Sequence, residues 1–211
     1  MTVTEETIAY YDGNAKKFIA DTANIELGAL QKAFVDMLPE GCRILDLGCG
    51  SGRDSLAFLK AGLAVDAVDG SAEMVKAASE LTGLRVEHAT FADFEPKDGY
   101  DGIWACSSLL HVPAAELPAI VAKYAAALKP GGRFYLSFKI GDHDGMRNGR
   151  WFTDMTEQSF RRLVDSVEGL TIDRIGIEAA LARIRRNTPD RLKLTKFDPV
   201  VRKRVTFRET R

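Results

Sequence analysis

The chain is predicted to fold as an α/β domain around a doubly wound, mostly parallel sheet. Short apolar runs of strand length alternate with longer segments at helical spacing, the mark of consecutive βαβ units. One run, Ile44-Leu45-Asp46-Leu47, feeds three glycines at every second position (Gly48, Gly50, Gly52) and then a helix-like segment. A second run, Ala64 to Val68, ends in Asp69, 23 residues beyond Asp46. A strand, a glycine turn and a helix, followed by an acid at the next strand tip, form the place where such sheets hold a small ligand.

The elements follow in order. Residues 5–19 read as an amphipathic helix, with Ile8, Tyr11, Ala15, Phe18 and Ile19 on one side. Asn24 is placed to cap a second helix to about Met37, ended by Pro39 and Gly41. After the first strand and its turn comes a helix over 53–61. Asp69-Gly70-Ser71 closes the second strand and caps the next helix, with Glu73 in its first turn. Leu84 to His88 is the third strand and Tyr100 to Cys106 the fourth. Leu128-Lys129-Pro130-Gly131-Gly132 stops a helix before a fifth strand, Gly132 to Phe138. The glycine-, aspartate- and arginine-rich stretch 141–150 reads as a surface loop near the mouth of the site. Thr156 and Glu157 open a helix through Val167, and Leu170 to Ile175 is the sixth strand.

The register of the glycine turn narrows the ligand. A dinucleotide fingerprint needs a third glycine where this chain has Arg53 (from Gly48) or Ser55 (from Gly50). No Gly-Lys pair stands at phosphate-loop spacing. The turn suits a ligand with a ribose and an amino-acid tail, although a plain tight loop has the same letters. Asp69 can accept both hydroxyl hydrogens of a ribose, or merely open a turn. Asp93, between Phe91 and Phe94, can accept from an adenine amino group while a Phe packs on the ring; otherwise it is a solvated acid.

Composition bounds the rest. At 211 residues, 45% apolar and 28% charged, the chain is sized for one α/β domain: a helical cap (1–40), a ligand-binding core (41–140), and a substrate-side loop with C-terminal strands (141–211). No apolar run approaches the roughly 20 residues of a membrane span, and the acidic N-terminus has no signal-peptide pattern, so a cytoplasmic location is expected. Cys42, Cys49 and Cys106 lack C-x-x-C spacing and read as reduced thiols, with no metal site expected. Residues 183–211 hold 11 Lys/Arg against 3 Asp/Glu, whereas the net charge of the whole chain is −1. Such a tail is either a nucleic-acid footprint or a solvated face; with only Phe197 and Phe207 available for stacking, the second reading is preferred.

Taken together, ILDLGCGSG (44–52), AVDGSAEM (67–74), ATFADFEP (89–96), YDGIWACSSLLHV (100–112) and LKPGGRFYLSFK (128–139) make the chain resemble class I S-adenosylmethionine-dependent methyltransferases over about residues 40–140. Tyr11-Asp12-Gly13-Asn14-Ala15 and Gly149-Arg150-Trp151-Phe152-Thr153 resemble the small bacterial enzymes of the tellurite-resistance, small-molecule type. The resemblance implies a Rossmann-like sheet of seven strands with helices on both faces and its last strand antiparallel, for which Arg204 to Arg208 alternates suitably. It implies S-adenosyl-L-methionine as cofactor. Gly48, Cys49, Gly50 and Gly52 would floor the methionine portion, with Asp46 accepting from its amino group. Asp69 and Gly70 would hold the ribose; Ser71 and Met74 would border the adenine, with Ala92, Asp93 and Phe94 at its edge. Cys106 and Ser107 would flank the methionine tail near the transferred methyl. Tyr11 and Lys16 would belong to an N-terminal helix closing over the cofactor. The basic stretch with Pro189 and Pro199 departs from that pattern.

The implied reaction is in-line transfer of the methyl group to a small-molecule acceptor, releasing S-adenosylhomocysteine and relying mainly on alignment. His111, just past the fourth strand, is the candidate catalytic base; its alternative is a backbone-bonded histidine at a helix start. His143 is a weaker base. Trp151 and Phe152 either wall the acceptor or anchor the loop. Two other readings remain: an RNA-modifying methyltransferase using the basic tail, and a regulatory module that binds the cofactor without turnover. A nucleotide-dependent oxidoreductase is disfavoured by the failed glycine register.

Overall fold

A computed structural model of the chain describes residues 1–22, 25, 27–179 and 193–197. The expected cap Asn24 and the strand Arg204 to Arg208 lie outside the described residues. Burial orders the sheet. β1 (Arg43–Leu47) and β4 (Tyr100–Ala105) are apolar along most of their length and sit side by side in its middle. β2 (Ala64–Asp69) pairs parallel with β1, and β3 (Glu87–His88) with β2. On the other side β5 (Leu128–Lys139) pairs parallel with β4. The chain therefore runs outward from β1 to β3, then returns to β4. This reversal of direction leaves a crevice above the carboxyl ends of β1 and β4.

Alternate side chains of each strand pack on opposite faces, as the two-residue period requires. On one face Trp104 stacks on Tyr135 with ring centroids 4.0 Å apart, and Phe34 and Phe58 meet Trp104 at 5.0 and 5.2 Å. These last two come from α2 (Gly28–Val35) and α3 (Arg53–Lys60). On the other face Ile103 and Leu136 join Tyr124 of α5 (Leu117–Ala126) and Phe160 of α6 (Glu157–Asp165). Thr156 caps α6 reciprocally: its Oγ1 accepts from Ser159 N at 3.1 Å while Ser159 Oγ accepts from Thr156 N at 2.9 Å. α1 (Val3–Thr22) lies over the crevice, and α4 (Ala72–Thr82) starts at its rim. Among the described residues no helix is long and apolar enough to cross a membrane.

The sheet has seven strands: five are joined by parallel pairing, and β9 (Lys193–Phe197), the last along the described chain, is inserted antiparallel between β5 and β8 (Ile175–Ala179). Two expectations need correction. The sixth strand was expected at 170–175, but the ladder starts only where Ile175 meets its partner Phe197. Before that point Leu170 and Ile172 pack on the core outside any strand. The segment read as a surface loop, 141–150, instead enters a hairpin of β6 (Asp144–Arg147) and β7 (Arg150–Thr153). Its two-residue turn, Asn148-Gly149, has φ of 53° and 77°, the paired positive values that match the twist of a hairpin.

Candidate functional site

The crevice is a cavity of about 720 Å³ bounded by the glycine turn, the ends of β2 and β4, helix α1 and the hairpin β6–β7. Its floor is set by steric need. At Gly48 (φ 75°) a Cβ would lie 2.4 Å from the Ser108 Cβ, so only glycine lets the turn pass. Ser108 fixes that approach by donating from Oγ to the Leu47 carbonyl at 2.6 Å. Gly50 has φ 55° yet nothing within 4 Å of where its Cβ would stand. That space belongs to the cavity. Gly52 stands at the N-terminus of α3 with its φ of 82° and does not line the cavity.

Asp69 is held by two backbone N–H groups at the edge of the crevice. Its Oδ2 accepts from Gly50 N at 2.8 Å and its Oδ1 from Ser71 N at 2.9 Å. A carboxylate has about four acceptor positions, so two are used and two remain for a ligand. Burial raises its pKa above its ordinary value, against the lowering effect of those two N–H groups. Asp46, buried at the end of β1, accepts from Ser55 Oγ at 2.6 Å. Burial, and then the nearby Asp54 charge, raise its pKa too. Asp54 is itself held by Trp104 Nε1 at 2.9 Å, Gln31 Nε2 at 2.7 Å and Arg53 at 2.9 Å. The three acids supply this end of the cavity with hydrogen-bond acceptors, and Arg53 stands among them, paired with Asp54.

At the rim, Ser71 Oγ accepts from Met74 N at 3.2 Å and donates to Asp12 Oδ1 at 2.6 Å, tying the start of α4 to the lid helix α1. Cys49, Gly70, Met74, Ala92 and Asp93 also line the cavity. Asp93 accepts from Thr90 Oγ1 at 2.6 Å. The aromatic facing the cavity there is Phe91; Phe94 packs on the core instead. Cys106 and Ser107 lie at the end of β4. Ser107 has φ 55°, an uncommon value for a residue with a Cβ, and its N–H donates to Ser137 Oγ at 2.7 Å.

The opposite wall is a relay of donors. Arg150 Nη1 donates to the Tyr11 hydroxyl at 3.2 Å, Tyr11 donates to His111 Nε2 at 2.7 Å, and His111 Nδ1 donates to the Trp151 carbonyl at 2.6 Å. A carbonyl only accepts, so His111 carries its proton on Nδ1. Both ring nitrogens are engaged. Burial, opposed by the Trp151 carbonyl but aided by Arg150 and Lys139, lowers the His111 pKa to about 3. Trp151 N donates to Thr7 Oγ1 at 2.9 Å, a second tie between lid and hairpin. Phe152 lines the cavity, whereas Trp151, His143 and Lys16 do not. The three cysteines are free thiols, and the described residues contain no cluster of metal-ligating side chains.

Sequence reading missed Lys139 and Arg150, two cations lining this wall. The signal for Arg150 was available: Asn148-Gly149 forces a two-residue turn, which places Arg150 first on the returning strand.

Comparison with known proteins agrees with this geometry. The family model described as a methyltransferase domain matches residues 44–132. A second model, Ribosomal protein L33, matches residues 181–211, the stretch that departs from the methyltransferase pattern. The chain is 36% identical over 106 residues to a ubiquinone biosynthesis O-methyltransferase of Xanthomonas axonopodis pv. citri (strain 306), covering 47% of this chain and 44% of the relative. The matched region thus spans under half of that relative's length. Among solved structures, magnesium protoporphyrin IX methyltransferase from Synechocystis PCC 6803 with bound S-adenosylmethionine superposes with a TM-score of 0.70 at 17% identity, covering 94% of this chain and 97% of that one. A Burkholderia thailandensis 1,6-didemethyltoxoflavin-N1-methyltransferase, bound to 1,6-didemethyltoxoflavin and S-adenosylhomocysteine, gives 0.69 at 20% identity, covering 94% and 88%. Both share the α/β architecture with its mostly parallel sheet.

Proposed function

The chain carries a methyltransferase domain of the class I S-adenosylmethionine-dependent family, and from that premise we propose that it methylates a small-molecule acceptor, releasing S-adenosylhomocysteine. The observation that carries the reading is Asp69: a carboxylate fixed by two backbone N–H groups at the crevice edge, with two acceptor positions left beside the open space at Gly50. That arrangement fits a ribose diol, and the glycine turn leaves room for a backbone-hugging tail.

The residues divide the work. Asp69 holds the ribose and Asp46 meets the cofactor's ammonium group, directly or through water. Ala92 and Asp93 border the adenine edge, with Phe91 against its face. Cys106 and Ser107 flank the reacting end. The bound cofactor supplies an already activated methyl group, so positioning of the acceptor is the main demand on the protein; in well-oriented systems it contributes about 7–11 kcal/mol. The lid helix, tied at Ser71 and at Trp151, keeps water from the site. We assign His111 to positioning: its Nε2 holds Tyr11 and thereby α1.

Calorimetry with S-adenosylhomocysteine tests the cofactor half. Each charge-assisted hydrogen bond contributes about 1.5–3 kcal/mol, so Asp69→Ala is expected to weaken binding about 100-fold or more. Wild-type affinity in that variant would refute the assignment. Methyl release over a panel of acceptors separates an enzyme from a cofactor-binding module without turnover.

A second reading is favoured by one observation, the Ribosomal protein L33 match over the basic residues 181–211. On this reading the segment brings the domain to RNA. RNA binding that weakens steeply with salt and disappears on truncation after Ala182 would support it; salt-insensitive or truncation-insensitive binding would dismiss it.

A further inference from the structure

The two ends of the cavity differ in their charged groups. Asp46, Asp54 and Asp69 cluster with Arg53 at the glycine turn, while Lys139 and Arg150 stand at the hairpin end. The Lys139 Nζ lies 4.1 Å from the Phe152 ring centroid, and the Arg150 guanidinium carbon lies 5.0 Å from the same ring. Arg147 is also near that ring, at 4.4 Å, but its charge is matched by Asp154 through two hydrogen bonds of 2.9 and 2.8 Å. The other two have no such match. Among the described residues neither Lys139 nor Arg150 forms an ion pair. Arg150 contacts the Tyr11 hydroxyl and the faces of Tyr10 and Tyr11, and its buried Nε has no hydrogen-bond partner among the described residues. Lys139 sets its ammonium over the Phe152 ring face.

Two half-buried cations without a counterion are costly unless something supplies one. Burial and the charges of Arg147 and Arg150 push the Lys139 ammonium down to about 8, with Asp154 pulling the other way. Apolar side chains line the cavity as well: Leu110 and Val112 share a core cluster with Phe152, and Ile120 packs against that cluster. At the glycine turn the cavity is also lined by Arg53, whose Nε donates to Asp54 Oδ1 at 2.9 Å; the effect of Lys139→Gln on S-adenosylhomocysteine affinity tells which cation meets the cofactor's own carboxylate.

We propose that Lys139 and Arg150 form the acceptor's anion subsite, so that the acceptor is a small organic acid whose carboxylate pairs with both and whose apolar body lies on Phe152 and Leu110. The proposal rests on the cofactor reading of the acidic end. An ammonium and a guanidinium offer the convergent donors a carboxylate takes, and Phe152 gives the apolar part a flat partner.

The test titrates benzoate and benzamide into the full chain saturated with S-adenosylhomocysteine. Benzoate is expected to bind and benzamide to bind at least about tenfold more weakly, because only the acid carries the charge. Lys139→Gln should weaken benzoate about tenfold or more, Lys139→Arg should retain it, and S-adenosylhomocysteine affinity should change less than about twofold in both. Equal binding of acid and amide, or unchanged benzoate affinity in Lys139→Gln, overturns the proposal. So does a loss of S-adenosylhomocysteine affinity in Lys139→Gln, which would give the cation to the cofactor's carboxylate. If S-adenosylhomocysteine fails to bind the wild-type protein while Lys139-dependent benzoate binding persists, the cofactor reading falls and the anion subsite stands.

Discussion

Tyr11 and His111 meet across the mouth of the crevice, hydroxyl to Nε2 at 2.7 Å, although 100 positions separate them in the chain. The bond joins the lid helix to the turn after β4, and its direction is fixed because His111 Nδ1 already donates to the Trp151 carbonyl. Tyr11→Phe removes the donor and leaves a buried acceptor unmet, which costs about 1–3 kcal/mol. For a chain of this size each kcal/mol lowers Tm by roughly 2–4 °C. Scanning calorimetry is expected to show that loss, and stopped-flow displacement to show faster release of S-adenosylhomocysteine as the lid loosens. An unchanged Tm would mean that α1 is held elsewhere.

The same histidine sets an acid limit. Its folded pKa is lowered from 6.5 to about 3, so the unfolded chain takes up a proton that the folded chain refuses. His111 therefore adds stability that is fully present above about pH 6.5 and is lost as pH falls toward about 3, at roughly 1.4 kcal/mol for each pH unit between those limits. Urea unfolding at pH 7.5 and pH 5 should show a steeper loss for the wild type than for His111→Gln, which cannot titrate. Parallel losses would place the acid sensitivity in the carboxylates.

Much of this was legible in the letters, for reasons specific to each element. The glycine turn and Asp69 announce themselves because a tight turn and a strand-end acid are local requirements with few residue solutions. Asp12 could not be read: its bond to Ser71 spans 59 positions and depends on how α1 crosses the sheet. The β6–β7 ribbon was missed although Asn148-Gly149 encodes its turn, because the polar strand Asp144–Arg147 lacks the apolar alternation by which strands are recognised. The charge of the acceptor wall was hidden for a similar reason. Lys139 and Arg150 are 11 positions apart and come together only when the hairpin folds back beside β5.

Gly50 offers a control on whether the turn matters for binding or only for folding. Both Gly50 (φ 55°) and Gly83 (φ 75°) have open space where a Cβ would go, but only Gly50 faces the cavity. Alanine at either position carries a left-handed backbone penalty of about 1–2 kcal/mol. The two variants should thus lose similar stability in urea, while only Gly50→Ala loses S-adenosylhomocysteine affinity, by about tenfold or more, as its methyl group enters the ligand's space. Equal affinity in both variants would move the ligand away from the turn.

Lys139 predicts how acceptor binding depends on pH. Its ammonium, lowered to about 8, must be charged to pair with an acid, so benzoate affinity should be level below about pH 8 and fall above it, approaching tenfold per pH unit. The stability trend runs the other way: between about pH 8 and 10.5 the unfolded chain holds a proton that folded Lys139 releases, so this group's contribution to stability rises with pH. Of the groups around it, the guanidinium groups of Arg147 and Arg150 do not titrate in this range, burial keeps His111 neutral and raises the Tyr11 pKa further, and Asp154 is paired with Arg147. Lys139→Arg isolates the effect, because a guanidinium does not titrate in this range. Benzoate affinity that falls above pH 8 in the wild type and stays level in Lys139→Arg assigns the titration to Lys139; a fall in both would assign it to another group lining the cavity.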